Sequence, residues 1–357
     1  MSKTKIEWAR DTWNPVVGCR KVSRGCQNCY AERMAARLAR MGQWKYQTVV
    51  SGNAWNGRVN YVDNSDELLA PIGWKPSRVF VCSMGDLFHD DVPDTTLDAV
   101  FATMALSPRS TFMLLTKRPL RMRDYILSRW AMDDSDRVER APQWYQHVTW
   151  LLDQGETLLG RRWDRAHAAA EGLDLAQPLP NVWLGVTAED QEHAEARIPV
   201  LLTTPAARRF VSVEPMLGPV NLHDYLSTTW LPVGEAHCTD PAAGRVPPLD
   251  WVICGGESGP GARPMHPDWA RALRDQCRRA GVPFFFKQWG EWGPLEDHIE
   301  TGRRTAPVCL VKPDGATVRP YCQLDAPGHQ MARVGKKAAG RLLDGITWDQ
   351  RPEMRPC

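Results

Sequence analysis

With 357 residues and a formal net charge of only +2, the chain can bury a large core but has no global basic field to drive non-specific nucleic-acid binding. It contains no apolar run of about 18 residues or more, and its first residues lack the apolar stretch of a secretory signal, so a cytoplasmic protein with no membrane partner is expected. Ten cysteines in such a chain do not read as a disulfide framework.

The first informative stretch runs from Trp13 to Tyr30, where Cys19, Cys26 and Cys29 fall in a C-x6-C-x2-C pattern. It follows a short apolar strand and opens the helix Tyr30–Arg40, which ends before Gly42. Three thiolates so close can converge on a soft metal centre and leave one metal position open. A structural zinc site is the alternative, and it would need a fourth ligand from elsewhere in the chain. Residues 43–77 show no clear period.

A rhythm of apolar strand, polar strand end and helix then begins. Arg78–Ser83 reads as a strand buried on both faces and breaks at Met84-Gly85-Asp86. A helix follows over Asp94–Leu106, with Asp94 as its cap. Thr111–Thr116 is the next strand, ending at Lys117-Arg118-Pro119, and Leu120–Trp130 the next helix. Residues 131–180 break the rhythm and read as a helical insertion, a lid or partner-facing element.

Beyond it, Asn181–Val186 ends at Thr187-Ala188-Glu189-Asp190, and Arg209–Val213 ends at Glu214-Pro215. Asp250–Cys254 ends at Gly255-Gly256-Glu257, and Val282–Phe286 ends at Lys287-Gln288-Trp289. Cys82, Cys254 and Cys277 sit inside apolar patterns and read as small hydrophobes. Residues 307–318 carry a hairpin signal around Pro313-Asp314-Gly315, and a basic helix is expected near Gly335–Leu343.

Strands alternating with helices predict parallel pairing through right-handed crossovers, hence a partial or complete parallel (βα) barrel of the TIM type. Its halves would be residues 1–130 and 181–290, separated by the insertion at 131–180 and followed by a C-terminal extension at 291–357. In such a barrel the chemistry belongs at the C-terminal strand ends, where this chain puts its polar and Gly-rich residues.

The Cys motif, together with Leu115–Pro119, Val213–Met216, Gly255–Gly259, Phe286–Gly290 and Val334–Gly340, resembles a largely phage-associated three-Cys-motif family of unknown function. That family is in turn similar to radical S-adenosylmethionine (SAM) proteins. The resemblance implies that Cys19, Cys26 and Cys29 hold a 4Fe–4S cluster. SAM would bind the open iron, and its reductive cleavage would give a 5′-deoxyadenosyl radical. The usual spacing of those proteins is C-x3-C-x2-C; here the first gap is six and Asn28 takes the place of an aromatic.

Gly85 and Asp86 would then meet the SAM amino group, Gly255, Gly256 and Glu257 its adenine or ribose, and Ser83 belongs to the same cofactor set. Thr187, Glu189 and Glu214 could bind SAM polar groups or move protons, and Thr116 and Lys117 complete the cofactor set. Arg118, Lys287 and Trp289 are the substrate candidates. Plainer readings stand beside these: turns for the glycines, helix caps for the carboxylates, a solvated turn for Arg118, and a salt-bridged Lys beside a packed Trp. The expected activity is radical modification of an unknown substrate, with a nucleotide or nucleic acid preferred on the phage association, and a reductant protein as electron donor. The alternative is a zinc- or cluster-stabilised binding module without turnover, acting with a partner encoded beside it.

Overall fold

The computed structural model describes all residues except 1, 5, 62–64, 131–142, 175–176, 228, 231–244, 298–305, 319–326 and 354–357. Seven strands form one all-parallel curled sheet: β1 Asp11–Trp13, β2 Arg78–Val81, β3 Thr111–Thr116, β4 Val182–Thr187, β5 Arg208–Val213, β6 Trp251–Gly255 and β7 Phe284–Gln288. Their order follows the chain, and the sheet does not close between β1 and β7. The fold is therefore α/β with a half-barrel, the partial form of the expected architecture.

Alternation along the strands sorts side chains into two cores. Val79 and Val81, Phe112 and Leu114, Val211 and Val213, and Phe284 and Phe286 face the helices. Phe80, Met113, Phe210 and Phe285, on the opposite face of the same strands, join Trp183, Trp251 and Ile253 in a separate cluster inside the curl. Trp8, from the segment before β1, fills that interior with its ring centroid 4.7 Å from Phe80 and 6.3 Å from Trp251. Gly185 leaves room for a ring: a Cβ there would lie 2.4 Å from Phe210 Cζ.

Both open edges are covered, which suppresses edge-to-edge pairing. Ser2–Lys3 pairs antiparallel with β1, and Phe286 N donates to Trp348 O (2.8 Å) along β7.

The helices lie outside: α1 Tyr30–Arg40, α2 Asp94–Ala105, α3 Pro119–Trp130, α4 Gln143–Asp153, α5 Trp163–Glu171, α6 Gln191–Leu202 and α7 Pro267–Ala280. Asp94 does not cap α2; it pairs with Arg121 and Arg129 instead. The cap of α6 is Asp190, which accepts from His193 N, while no helix begins at Pro215.

The described part of the insertion packs Trp144, Val148 and Leu151 into the helix-side core. None of its described residues lines the cavity at the strand ends. Residues 131–142 of the insertion lie outside the described residues.

At the C-terminus the predicted hairpin is present, as β9 Val308–Val311 against β10 Thr317–Val318. It belongs to a four-stranded antiparallel sheet with β8 Trp292–Pro294 and β11 His329–Arg333. The basic helix shrinks to Lys336–Ala339, because Gly340 follows at φ +70° and Leu342–Leu343 is extended. No helix among the described residues is long and apolar enough to cross a membrane.

Candidate functional site

The inward register that carries aromatic rings at the base of the curl carries polar groups at its C-terminal end. Phe210 is followed two residues on by Ser212 and then Glu214, and Phe285 by Lys287; these three polar residues line one cavity of about 700 Å³. Cys19, Cys26 and Cys29 line the same cavity. So do Ser83, Gly85, Asp86, Thr116, Lys117 and Arg118, together with Thr187, Gly256 and Glu257. Sequence reasoning therefore named most of one mouth.

Three of the named residues lie off its lining. Gly255 and Glu189 sit behind it, and Trp289 is a packing residue: 3% exposed, with Nε1 donating to Leu342 O (2.7 Å) and its ring edge-on to Phe286. Asn14, Asn28, Tyr30 and Ser212 line the cavity and were missed. The alternation through Phe210 could have found Ser212.

The cysteine loop is held by ion pairs at the strand ends. Glu189 is fully buried; it accepts from Lys117 Nζ (2.7 Å), from Arg197 Nη1 (2.7 Å) and from Ser23 Oγ. Burial pushes its carboxyl up, but the two cations and the hydrogen bonds outweigh that and hold it at about 2. Gly25 lies directly on this cluster, since a Cβ there would be 2.6 Å from Glu189 Oε1.

On the other side, Glu257 takes Arg263 Nη2 (2.6 Å) and Nε (2.9 Å) and Asn28 Nδ2 (3.0 Å). Burial opposes its ionisation, and Arg263 and Asn28 lower its pKa beyond that opposition. Arg263 Nη2 also donates to Arg24 O (3.0 Å), and Arg33 of α1 donates to Ser258 O (3.0 Å). Asp86 is engaged by four donors: Thr116 Oγ1 (2.7 Å), Arg118 Nη1 (2.9 Å), Phe88 N (3.0 Å) and Lys117 N (3.3 Å).

Arg118 is thus not a solvated turn residue; it is buried, and it reaches Arg20 O (3.1 Å) and Cys19 Sγ (3.8 Å) as well.

The strand-end glycines answer to the chain's own backbone. A Cβ on Gly85 would stand 2.9 Å from Gly18 O, its partner in a parallel bridge, and one on Gly256 would stand 1.9 Å from Trp289 O. Gly18 itself has φ +93°, which suits a residue without a side chain.

Two thiols of the loop are tuned apart. Burial, with Asp86 adding to it, pushes Cys19 up to about 12 against the pull of Arg118. Cys26 is also raised by burial, but Lys117 and hydrogen bonds from Val22 and Ser23 bring it below its ordinary value.

Among the described residues, the one His/Cys/Asp/Glu group whose ligand atoms all fall within 4.8 Å of each other is His266, Asp268 and His329, not the cysteines. Tetrahedral zinc with Zn–S bonds of ~2.3 Å would set its sulfurs about 3.8 Å apart. In a polynuclear cluster each thiolate binds a different iron, so the sulfurs stand wider, and a donor set of three thiolates is chemically suited to such a group.

One ion pair facing the cavity is Glu214 and Lys287, with Nζ 2.7 and 2.9 Å from the two carboxylate oxygens.

No curated protein and no solved structure matches the chain. A family model described as a protein of unknown function, DUF5131, matches residues 3–352. A match over nearly the full length, across the cysteine loop, the seven strands and the C-terminal sheet, settles membership: the chain belongs to the DUF5131 family.

Proposed function

We propose that this chain is an iron–sulfur enzyme of the radical SAM kind, modifying a substrate whose preferred class is a nucleotide or nucleic acid. The observation that carries the reading is the convergence of Cys19, Cys26 and Cys29 with the polar ends of the parallel strands on one cavity. A 4Fe–4S cluster on the three thiolates, with SAM beside it, would supply one-electron reductive cleavage of SAM and hydrogen abstraction from the substrate.

The chain's own residues do the rest. Glu189, Lys117 and Ser23 on one side, and Glu257, Arg263 and Asn28 on the other, fix the cysteine loop against the strand ends, so the thiols keep their place without needing a metal to build the loop. Glu214 and Lys287 present opposite charges to the cavity. An α-amino acid zwitterion carries the same two charges and can exchange with that pair, its ammonium on Glu214 and its carboxylate on Lys287. The aromatic base of the curl, closed by Trp8, excludes water from below.

The test is electron paramagnetic resonance on anaerobically reconstituted, dithionite-reduced protein with and without SAM. The expected result is roughly four Fe per chain and a reduced-cluster signal that changes on adding SAM. Cys26→Ala should lose the iron while keeping the fold by circular dichroism. A signal blind to SAM overturns the SAM assignment. Tightly held zinc with no iron after reconstitution overturns the enzyme reading in favour of a metal-stabilised binding module.

A further inference from the structure

Away from the cavity, the N-terminus of α7 and the first residue of β11 bring two histidines and a carboxylate together. Asp268 Oδ2 lies 3.2 Å from His329 Nε2 and 3.9 Å from His266 Nδ1. The two imidazole rings meet edge to face with centroids 4.8 Å apart. Donors bonded to one zinc-class ion at ~2.0–2.1 Å in a tetrahedron stand roughly 3.3 Å from each other, so the 3.2 Å separation already fits, the 3.9 Å one needs a small closing movement, and all three ligand atoms lie within 4.8 Å of one another.

We infer that His266, Asp268 and His329 form a binding site for a divalent transition-metal ion of the zinc class, one that ties the C-terminal antiparallel sheet to the half-barrel.

The surroundings are those of a supported site. Asp268 Oδ1 is held by Arg271 Nη1 (2.9 Å), and Arg271 is itself tied to Asp344 (2.8 Å), which leaves Oδ2 turned to the histidines. Such outer contacts orient metal ligands. The His266 ring stacks on Trp269 at 5.6 Å, and Trp269 donates to Pro313 O (2.9 Å) in the loop between β9 and β10.

His266 is 2% exposed, and its Nε2 is buried with no hydrogen-bond partner. Its Nδ1 accepts a hydrogen bond from Asp268 N at 3.2 Å. That amide belongs to the first turn of a helix, where N–H groups lack intrahelical acceptors and can turn to water when the ring nitrogen is taken by an ion. Imidazole and carboxylate donors suit zinc, cobalt or nickel rather than calcium. Asp268 is half exposed, with 58% of its side chain in solvent, which gives an ion a way in and leaves a fourth position for water.

Cobalt(II) titration of the full chain, followed by absorption spectroscopy, separates this site from the cysteine loop, because thiolate ligands add a sulfur-to-metal charge-transfer band and nitrogen and oxygen ligands do not. The expected result is one equivalent of cobalt without that band, retained in Cys26→Ala and lost in His329→Gln. Asp268→Asn is the second variant and should weaken cobalt binding at least tenfold. Uptake unchanged by both substitutions, cobalt bound only with the thiolate band, or no cobalt bound at all overturns the inference.

Discussion

Glu189→Gln isolates a buried charge cluster at the strand ends. The substitution preserves shape and removes only the charge that faces Lys117 and Arg197. Glu189 is fully buried, and its two partners are 18% and 8% exposed, so solvent screens the cluster little. Holding the carboxyl at about 2 against an ordinary 4.5 corresponds to roughly 3 kcal/mol at neutral pH, at about 1.4 kcal/mol per pKa unit. Removing one partner of a buried ion pair costs about 3–5 kcal/mol, the same range.

The sign follows from the direction of the shift. The folded value lies below the unfolded one, so the stabilisation is complete above about pH 4.5 and is lost as the pH falls towards 2. Urea unfolding at pH 7 should show Glu189→Gln about 3 kcal/mol less stable than the natural chain. Repeating the measurement between pH 4.5 and 2 should bring the two together. A difference below about 1 kcal/mol at neutral pH, or one that does not change with pH, would refute the reasoning.

Two further outcomes follow from local geometry. Gly185→Ala would place a methyl group 2.4 Å from the Phe210 ring and should destabilise by roughly 1–3 kcal/mol, with Phe210→Leu restoring part of the loss in thermal melts. For Lys287→Met and Glu214→Gln, side chains 13% and 19% exposed predict a modest coupling of about 1 kcal/mol in a double-mutant cycle, smaller in high salt; a zero coupling would sink the pair.

The repeating strands were legible because a sheet covered on both faces reads as continuous apolar runs, and helix formers bounded by glycine marked α1. Polar residues at the strand ends were legible as a set, since the C-terminal edge of a parallel sheet gathers them. Their roles were not. Asp86, Glu189 and Glu257 were read as cofactor ligands or helix caps, and what the structure shows of them is their ion pairs, with Arg118, with Lys117 and Arg197, and with Arg263. The charge of a side chain is visible in a sequence, whereas the partner that claims it lies across a turn of the barrel. The strands β8 and β11 were hidden for another reason: Pro294 ends one and polar residues start the other, so neither shows a strand period. The apolar alternation that sends Phe210, Ser212 and Glu214 inward was present all along, but a run buried on both faces conceals which face is which.

The clamps on the cysteine loop also fix an order of events. Ser23 is 166 positions from Glu189, Asn28 is 229 from Glu257, and Arg24 is 239 from Arg263. During synthesis the three cysteines emerge first, long before any residue that holds them. Contacts so distant along the chain form late, after the intervening strands have assembled. The loop thus lacks its full set of clamps on a nascent chain until residue 263 has left the ribosome.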